Sequence, residues 1–327
     1  MRYAQLTRYG ADAPFELRER RAREAGPFEV VVKVHAAGLN PADARGREGM
    51  GREGDPPPLG FDVSGVVTAV GAATTKFRPG DDVYGCAGGI GEADGSFSEE
   101  MTADERLLAH KPKSLSFREA AAMPLAVITA WEALVERAQI TPGELVLVHG
   151  GTGGVGHFGV QLARATGAIV HATVSSAEKA ELTRDLGAAE AINYRELEVA
   201  DYVAKYTGGR GYDIVFDTVG GRNLEKSFAA LATNGRVATT RPGDGLDLSV
   251  MGAKNATLHT VLMLIPLITG RDRERHGALL EKVARMVDDG RIRPLLDPHR
   301  FTLDQLGEAL SFLDAGKPVG KLAVDIA

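Results

Sequence analysis

A chain of 327 residues, 44% hydrophobic and 25% charged, is globular material with enough apolar residues for two cores, which excludes a disordered or fibrous polymer. Its net charge of −6 mixes Lys and Arg among acids and leaves no basic footprint, so nucleic acid is not an expected partner. The single cysteine, Cys86, excludes an internal disulfide and a multi-cysteine zinc knuckle and suits a reducing compartment, with the cytoplasm as the expected location. Residues 1–10 are polar throughout and lack the core of a secretion signal. The longest apolar stretch, 261–268 with its flanks, falls short of the ~20 residues a membrane span needs.

From residue 1 to about 108 the chain alternates short runs with frequent Gly and Pro. Residues 28–37, 62–70 and 82–84 read as strands, the last entered by the turn Lys76-Phe-Arg-Pro-Gly-Asp-Asp, so this part is a β-rich domain. Residues 50–58, with glycines and three consecutive prolines, form a loop that either borders a cleft or joins two strands. Ser116-Phe-Arg-Glu119 has capping-box spacing and opens a helix expected to continue through Pro124 to 134, where the domain seam falls.

The stretch 145–168, LVLVHGGTGGVGHFGVQLARATGA, runs from an apolar strand through Gly151-x-Gly153-x-x-Gly156 into apolar residues at helical spacing. Such a turn, completed here by Gly154 and Val155, lets backbone approach a pyrophosphate while the helix N-terminus directs N–H groups and its dipole at the anion. Further strands are predicted at 169–174, 189–193, 212–217 and 235–239, with helices at 177–186, 197–206 and 223–232. That is a doubly wound parallel sheet, an α/β dinucleotide fold. The second strand ends Val174-Ser175-Ser176-Ala177-Glu178-Lys179, without the acid that binds an unphosphorylated ribose. Ser175 leaves room for a 2′-phosphate and Lys179 supplies a positive charge, which indicates NADP(H). Ser175 with Glu178 also reads as a capping box, and the two roles are compatible.

Residues 256–264 are expected to close the sheet, and an exposed edge of this kind pairs with a second subunit, so a homodimer is expected. An amphipathic helix is predicted at 276–289. Thr302-Leu-Asp-Gln305 caps another to 314, and 321–325 is a final strand. The Rossmann strands being accounted for, this tail returns to the first domain, which then comprises 1–122 and 264–327 around a cofactor domain at 123–263.

Landmarks along nearly the whole chain carry a family resemblance: Ala37-Gly-Leu-Asn-Pro-Ala-Asp43, Gly60-Phe-Asp-Val-Ser-Gly65, Pro79-Gly-Asp-Asp-Val-Tyr-Gly85, Gly95-Ser-Phe-Ser-Glu99, Ala122-Met-Pro-Leu-Ala126 with Thr129, the glycine turn, Asp213-Ile-Val-Phe-Asp-Thr-Val-Gly220 and Gly320-Lys321. The chain resembles the medium-chain dehydrogenase/reductases, and within them the zinc-independent NADPH:quinone oxidoreductases related to zeta-crystallin. The resemblance implies a GroES-like β-rich catalytic domain and a Rossmann cofactor domain with the active site in the cleft between them. Asn40 stands where zinc alcohol dehydrogenases place their first metal-binding cysteine, and Phe61 where they have the histidine of Gly-His-Glu, so no metal is expected.

By position Thr129, Lys179 and Tyr194 match residues that line the cofactor in the quinone reductases, the last two around the 2′-phosphate. The implied reaction is hydride transfer from NADPH to a quinone or to the β-carbon of an α,β-unsaturated ketone. Asn40 is the first candidate catalytic residue, its amide donating to the substrate carbonyl or positioning a water, although Asn-Pro is also a common turn. Asp43 either relays a proton or caps the following turn. Ala44-Arg-Gly-Arg-Glu follows where quinone reductases often show an aromatic residue, which leaves the acceptor open. Two alternatives stay in view: an enone or enoyl double-bond reductase with little quinone activity, and a non-enzymatic NADPH-binding protein of the crystallin or RNA-binding kind.

Overall fold

The computed structural model describes residues 1–49, 56–90 and 93–326. It divides into two compact units, Met1–Leu125 with Leu264–Gly290 and Leu296–Ala327, and Ala126–Met263 with Arg291–Leu295.

The first unit opens with an antiparallel pair, β1 (Arg2–Leu6) and β2 (Phe15–Glu19). There follow β3 (Glu29–Leu39), a helix α1 (Pro41–Arg47), β4 (Asp62–Val70), β5 (Asp82–Cys86), β6 (Glu100–Asp104) and β7 (Leu108–His110). A short helix α2 (Phe117–Ala121) ends this segment, and the Ser116 capping box is formed, with Ser116 N–H donating to Glu119 Oε2 at 2.9 Å. The expected helix does not run through Pro124. A proline in a helix interior lacks the N–H for the ladder and its ring clashes with the preceding turn, so the chain breaks after α2 and restarts as α3 (Pro124–Trp131), with a π-helical turn at Glu132–Arg137.

The second unit carries β8 (Leu145–His149), α4 (Gly156–Ala165), β9 (Ile169–Val174), α5 (Ala177–Asp185), β10 (Glu190–Asn193), β11 (Tyr212–Asp217), β12 (Leu231–Thr239) and β13 (Thr257–Thr260). All six strands are parallel in the order β10-β9-β8-β11-β12-β13. Both faces are covered, as parallel sheets require, and Leu147, Val215, Phe228 and Tyr212 fill one core cluster. The expected strand at 256–264 ends early, at Thr260, because Pro266 starts a helix at Ile265–Thr269 instead.

The chain then returns to the first unit for the helix Arg273–Asp288, β14 (Phe301–Thr302), the helix Leu306–Asp314 and β15 (Leu322–Asp325). The sheet there runs β14-β15-β3-β4-β5-β7, with β6 also on β3. Its registers place Leu322 against Leu39, Gly38 against Asp62, and Asp62 against Cys86. Polar residues from four separate stretches therefore meet at one end of the sheet. The unit bounds differ from the expected ones at two places: 123–125 stay in the first unit, and Arg291–Leu295 joins the second. The reason for the latter is Gln161 on α4, whose amide pairs both ways with Arg293 backbone at 2.9 Å each. Most of the loop expected at 50–58 lies outside the described residues. Among those described, no helix is long and apolar enough to cross a membrane.

Candidate functional site

In the second unit, β8 ends at His149 and the chain turns at Gly150, whose φ of +75° is left-handed. Thr173 on the neighbouring β9 clamps this corner: its hydroxyl accepts the Gly150 N–H at 3.1 Å and its carbonyl accepts the Gly151 N–H at 3.1 Å. Residues 151–155 complete the turn and Gly156 begins α4, where a Cβ would lie 2.1 Å from the Gly150 carbonyl oxygen. Only glycine allows the helix start to close onto the strand end. The ten-residue α4 thus presents its N-terminal amides beside Gly151, Gly153, Gly154 and Val155, an arrangement suited to an anion.

β8 and β11 mark where the strand order reverses, the usual crevice of a doubly wound sheet. On β11, buried Asp217 accepts the N–H groups of Val219 and Gly220 at 2.9 and 2.8 Å and the side chains of Asn223 and Ser227 at 3.0 and 2.7 Å. The Thr218 hydroxyl donates to the His149 carbonyl at 2.6 Å, tying the two strand ends together. His149 itself is buried with Nδ1 3.2 Å from the Thr173 hydroxyl. Burial pushes its imidazole down to about 4 against the attraction of Asp217, so it is neutral at pH 7.

The cap of α5 is Ser176, not Ser175 as the sequence suggested; its hydroxyl accepts the Lys179 N–H at 3.3 Å. Ser175, partly exposed at the end of β9, is relieved of the capping role. Lys179 is half-buried and makes no ion pair among the described residues. The Tyr194 N–H donates to the Val174 carbonyl at 3.1 Å, which sets this tyrosine, 46% exposed, beside the end of β9 next to Ser175. Thr129 lies buried on α3.

In the first unit the sheet registers assemble a buried polar cluster around Asn40, which is 1% exposed. Asn40 precedes α1, and its backbone N–H donates to Asp43 Oδ2 at 2.8 Å, so Asp43 does cap this helix. The Asn40 side-chain Nδ2 donates to Asp62 Oδ2 at 3.0 Å, and Asp62 Oδ1 accepts the Leu125 N–H at 2.8 Å. Lys321, just before β15 and 4% exposed, donates to the Leu39 carbonyl at 2.7 Å and to Asn40 Oδ1, with Asp62 Oδ2 at 3.6 Å. One ammonium thus faces two carboxylates. Burial, and then the charge of Asp62, raises the Asp43 carboxyl to about 7, while Lys321 opposes the rise. Burial likewise raises Asp62, lowers Lys321, and lifts the Cys86 thiol well above its ordinary range. Asp43 Oδ1 has no hydrogen-bond partner, which suits a carboxyl that keeps its proton through much of the acid range.

Comparison with known proteins places this geometry in context. A family model described as alcohol dehydrogenase GroES-like domain matches residues 26–113, and one described as zinc-binding dehydrogenase matches 154–265. The chain is 33% identical over 321 residues to the quinone oxidoreductase of Pseudomonas aeruginosa, covering 97% of both chains. The protein belongs to the medium-chain dehydrogenase/reductase superfamily. It is also 34% identical over 313 residues to the NADPH-dependent alkenal/one oxidoreductase, chloroplastic, of Arabidopsis thaliana, covering 90% of this chain and 72% of that one. Among solved structures, an alcohol dehydrogenase superfamily protein from Novosphingobium aromaticivorans aligns over 100% of both chains with a TM-score of 0.94 and 37% identity. The superfamily's two folds, a GroES-like β domain and a Rossmann-like parallel sheet, are the two units described above.

Zinc chemistry in this superfamily needs deprotonated nitrogen, sulfur or carboxylate ligands in a tetrahedral set. The cluster offers an ammonium, a primary amide and a thiol held protonated beside its two carboxylates, with buried Phe61 adjoining Asp62 in the chain. Among the described residues no group of three or more His, Cys, Asp or Glu is placed to hold a metal. Sequence reasoning named Asn40 and Asp43 as candidates but not Asp62 and Lys321, which the structure sets beside them, nor His149 and Thr173, which it sets at the glycine turn. A lone Asp on a strand and a lone Lys near the C-terminus carry no spacing signal, since only strand register brings them together.

Proposed function

We propose that this protein is an NADPH-dependent reductase that passes hydride to a quinone or to the β-carbon of an α,β-unsaturated carbonyl, without zinc. One observation carries the cofactor reading: the glycine turn stands at the switch point of the sheet, and the next strand end offers Ser175, Tyr194 and Lys179 rather than an acid. The resemblance to an NADPH-dependent alkenal/one oxidoreductase and to a quinone oxidoreductase supports the acceptor class. When bound, NADPH supplies the hydride; the turn through Gly151, Gly153, Gly154, Val155 and Gly156 would cradle its pyrophosphate, Lys179 with Ser175 and Tyr194 would hold its 2′-phosphate, and Thr129 would line the same site.

In the first unit we assign Asn40 the role of donating an amide N–H to the acceptor oxygen as negative charge builds there. Asp43, whose carboxyl burial raises to about 7 and which accepts the Asn40 backbone N–H, is the proton source we assign for the reduced acceptor. We further propose a cytoplasmic homodimer. β13 lies at the open edge of its sheet with Leu262 exposed just beyond it, and the sole cysteine is buried and forms no disulfide.

Steady-state oxidation of NADPH, and separately NADH, against ortho-quinones, para-quinones and conjugated enones tests this reading. The expected outcome is chelator-insensitive turnover with NADPH preferred. Turnover that prefers NADH would overturn the roles of Ser175 and Lys179, and tight NADPH binding without any acceptor would overturn the reductase.

A further inference from the structure

The Asn40 amide lies between two groups whose hydrogen-bonding roles cannot exchange. An ammonium has three donors and no acceptor, and an ionised carboxylate only accepts. Lys321 Nζ is 2.7 Å from the Leu39 carbonyl, bonded to Asn40 Oδ1 and 3.6 Å from Asp62 Oδ2, so its three donors face three oxygens. On the other side of the amide, Nδ2 is 3.0 Å from Asp62 Oδ2. A half-turn of the amide would set N–H against ammonium and oxygen against carboxylate, so the two charges select one orientation of a group that a neutral environment leaves free to flip. The Lys321 backbone is pinned as well: its carbonyl accepts the Asp297 N–H at 2.8 Å and the next residue is paired with Leu39.

We propose that Lys321 is a positioning residue: its ammonium, enclosed by the Leu39 carbonyl, the Asn40 amide oxygen and the Asp62 carboxylate, locks the Asn40 amide and reserves the second amide N–H for the acceptor oxygen. The last step rests on the role given to Asn40 above. The groups that face the ammonium are Asp62 from β4, Asp43 from α1 and the Cys86 thiol from β5. Lys321 is the cation that opposes protonation of both carboxylates. Without it Asp62 takes up a proton at a higher pH, becomes able to donate, and no longer discriminates between the two ends of the amide.

The test uses the full chain with Lys321→Met and Lys321→Ala. Folded Lys321→Met is expected to bind NADPH with unchanged Kd, lose about 100-fold in kcat, and shift its pH profile upward. Methylammonium should restore part of the kcat of Lys321→Ala. A readout independent of turnover is the side-chain N–H2 signal of Asn40 in protein labelled with 15N-asparagine, assigned by its loss in Asn40→Ala. That signal should move in Lys321→Met and return towards the wild-type position when methylammonium is added to Lys321→Ala. A folded Lys321→Met with wild-type amide signals and pH profile overturns the proposal. If Lys321→Met does not fold, failure of methylammonium to restore the amide signals of Lys321→Ala overturns it equally. Amide signals that respond as expected in a protein that reduces no acceptor support the lock and overturn only the role given to Asn40.

Discussion

The glycine turn after β8 contains no ionised side chain, whereas the cluster beside Asn40 buries Lys321 and Asp62 against its side-chain amide and Asp43 against its backbone N–H. The turn is built from backbone: at Gly156 the missing side chain lets the helix start close onto the Gly150 carbonyl, and the nearby His149 is kept neutral by burial. The cluster handles charge with side chains and depends on their stoichiometry. Its one cation stands against two carboxyl groups, and burial raises both, Asp43 to about 7. Shape governs the first region and charge count governs the second, so substitutions should divide the same way.

The largest effect expected at the turn comes from Gly156→Ala. The new Cβ would meet the Gly150 carbonyl at 2.1 Å, far inside van der Waals contact, so the helix start must back away from the strand. NADPH affinity should fall by about 100-fold, with a lowered melting temperature. Titration by nicotinamide fluorescence and a thermal melt check both, and wild-type affinity in this variant would remove the turn from the cofactor site. Lys179→Ala is expected to be milder, because it deletes a half-buried charge without disturbing packing. It should weaken NADPH by about 10-fold while NADH binds as before. Equal losses for the two cofactors would show that Lys179 supports the fold and not the phosphate.

The pH dependence of stability separates the two regions without any ligand. Asp43 is raised from 3.8 to about 7, so the folded state holds a proton that the unfolded chain releases. Its contribution is complete below pH 4 and is lost as the pH rises to about 7. His149 is lowered from 6.5 to about 4, so the folded state lacks a proton that the unfolded chain takes up. Its contribution is present above pH 6.5 and is lost as the pH falls to about 4. The two slopes oppose each other over nearly the same interval. Urea unfolding between pH 4 and 7 should therefore show stability rising more steeply with pH in Asp43→Asn and less steeply in His149→Gln. A parallel pair of curves would mean that neither group is perturbed as the packing implies.

Much of the second unit was legible because a doubly wound sheet advertises itself locally. Apolar strands, glycine turns and amphipathic helices alternate in order, and the observed strands at Ile169–Val174 and Tyr212–Asp217 have the expected bounds. The helix break at Pro124 was the local signal misjudged, since a proline in its own first turn starts a helix as readily as it stops one. The antiparallel pair β1 and β2 went unseen, because its strands are five residues each and mostly exposed on β2, with little apolar alternation to mark them.

The glycine spacing, the missing acid after β9 and the capping of α1 by Asp43 follow from neighbours within a few residues, so the sequence by itself determined the glycine turn and the choice of Asn40 as a candidate. The company Asn40 keeps was decided only by tertiary structure. Leu39, Asp62, Cys86 and Lys321 are up to 282 positions apart, and antiparallel registers bring them to one end of a sheet. Strand pairing is non-local, and so are the desolvation and charge balance that raise the Asp43 carboxyl and set Lys321 against the amide.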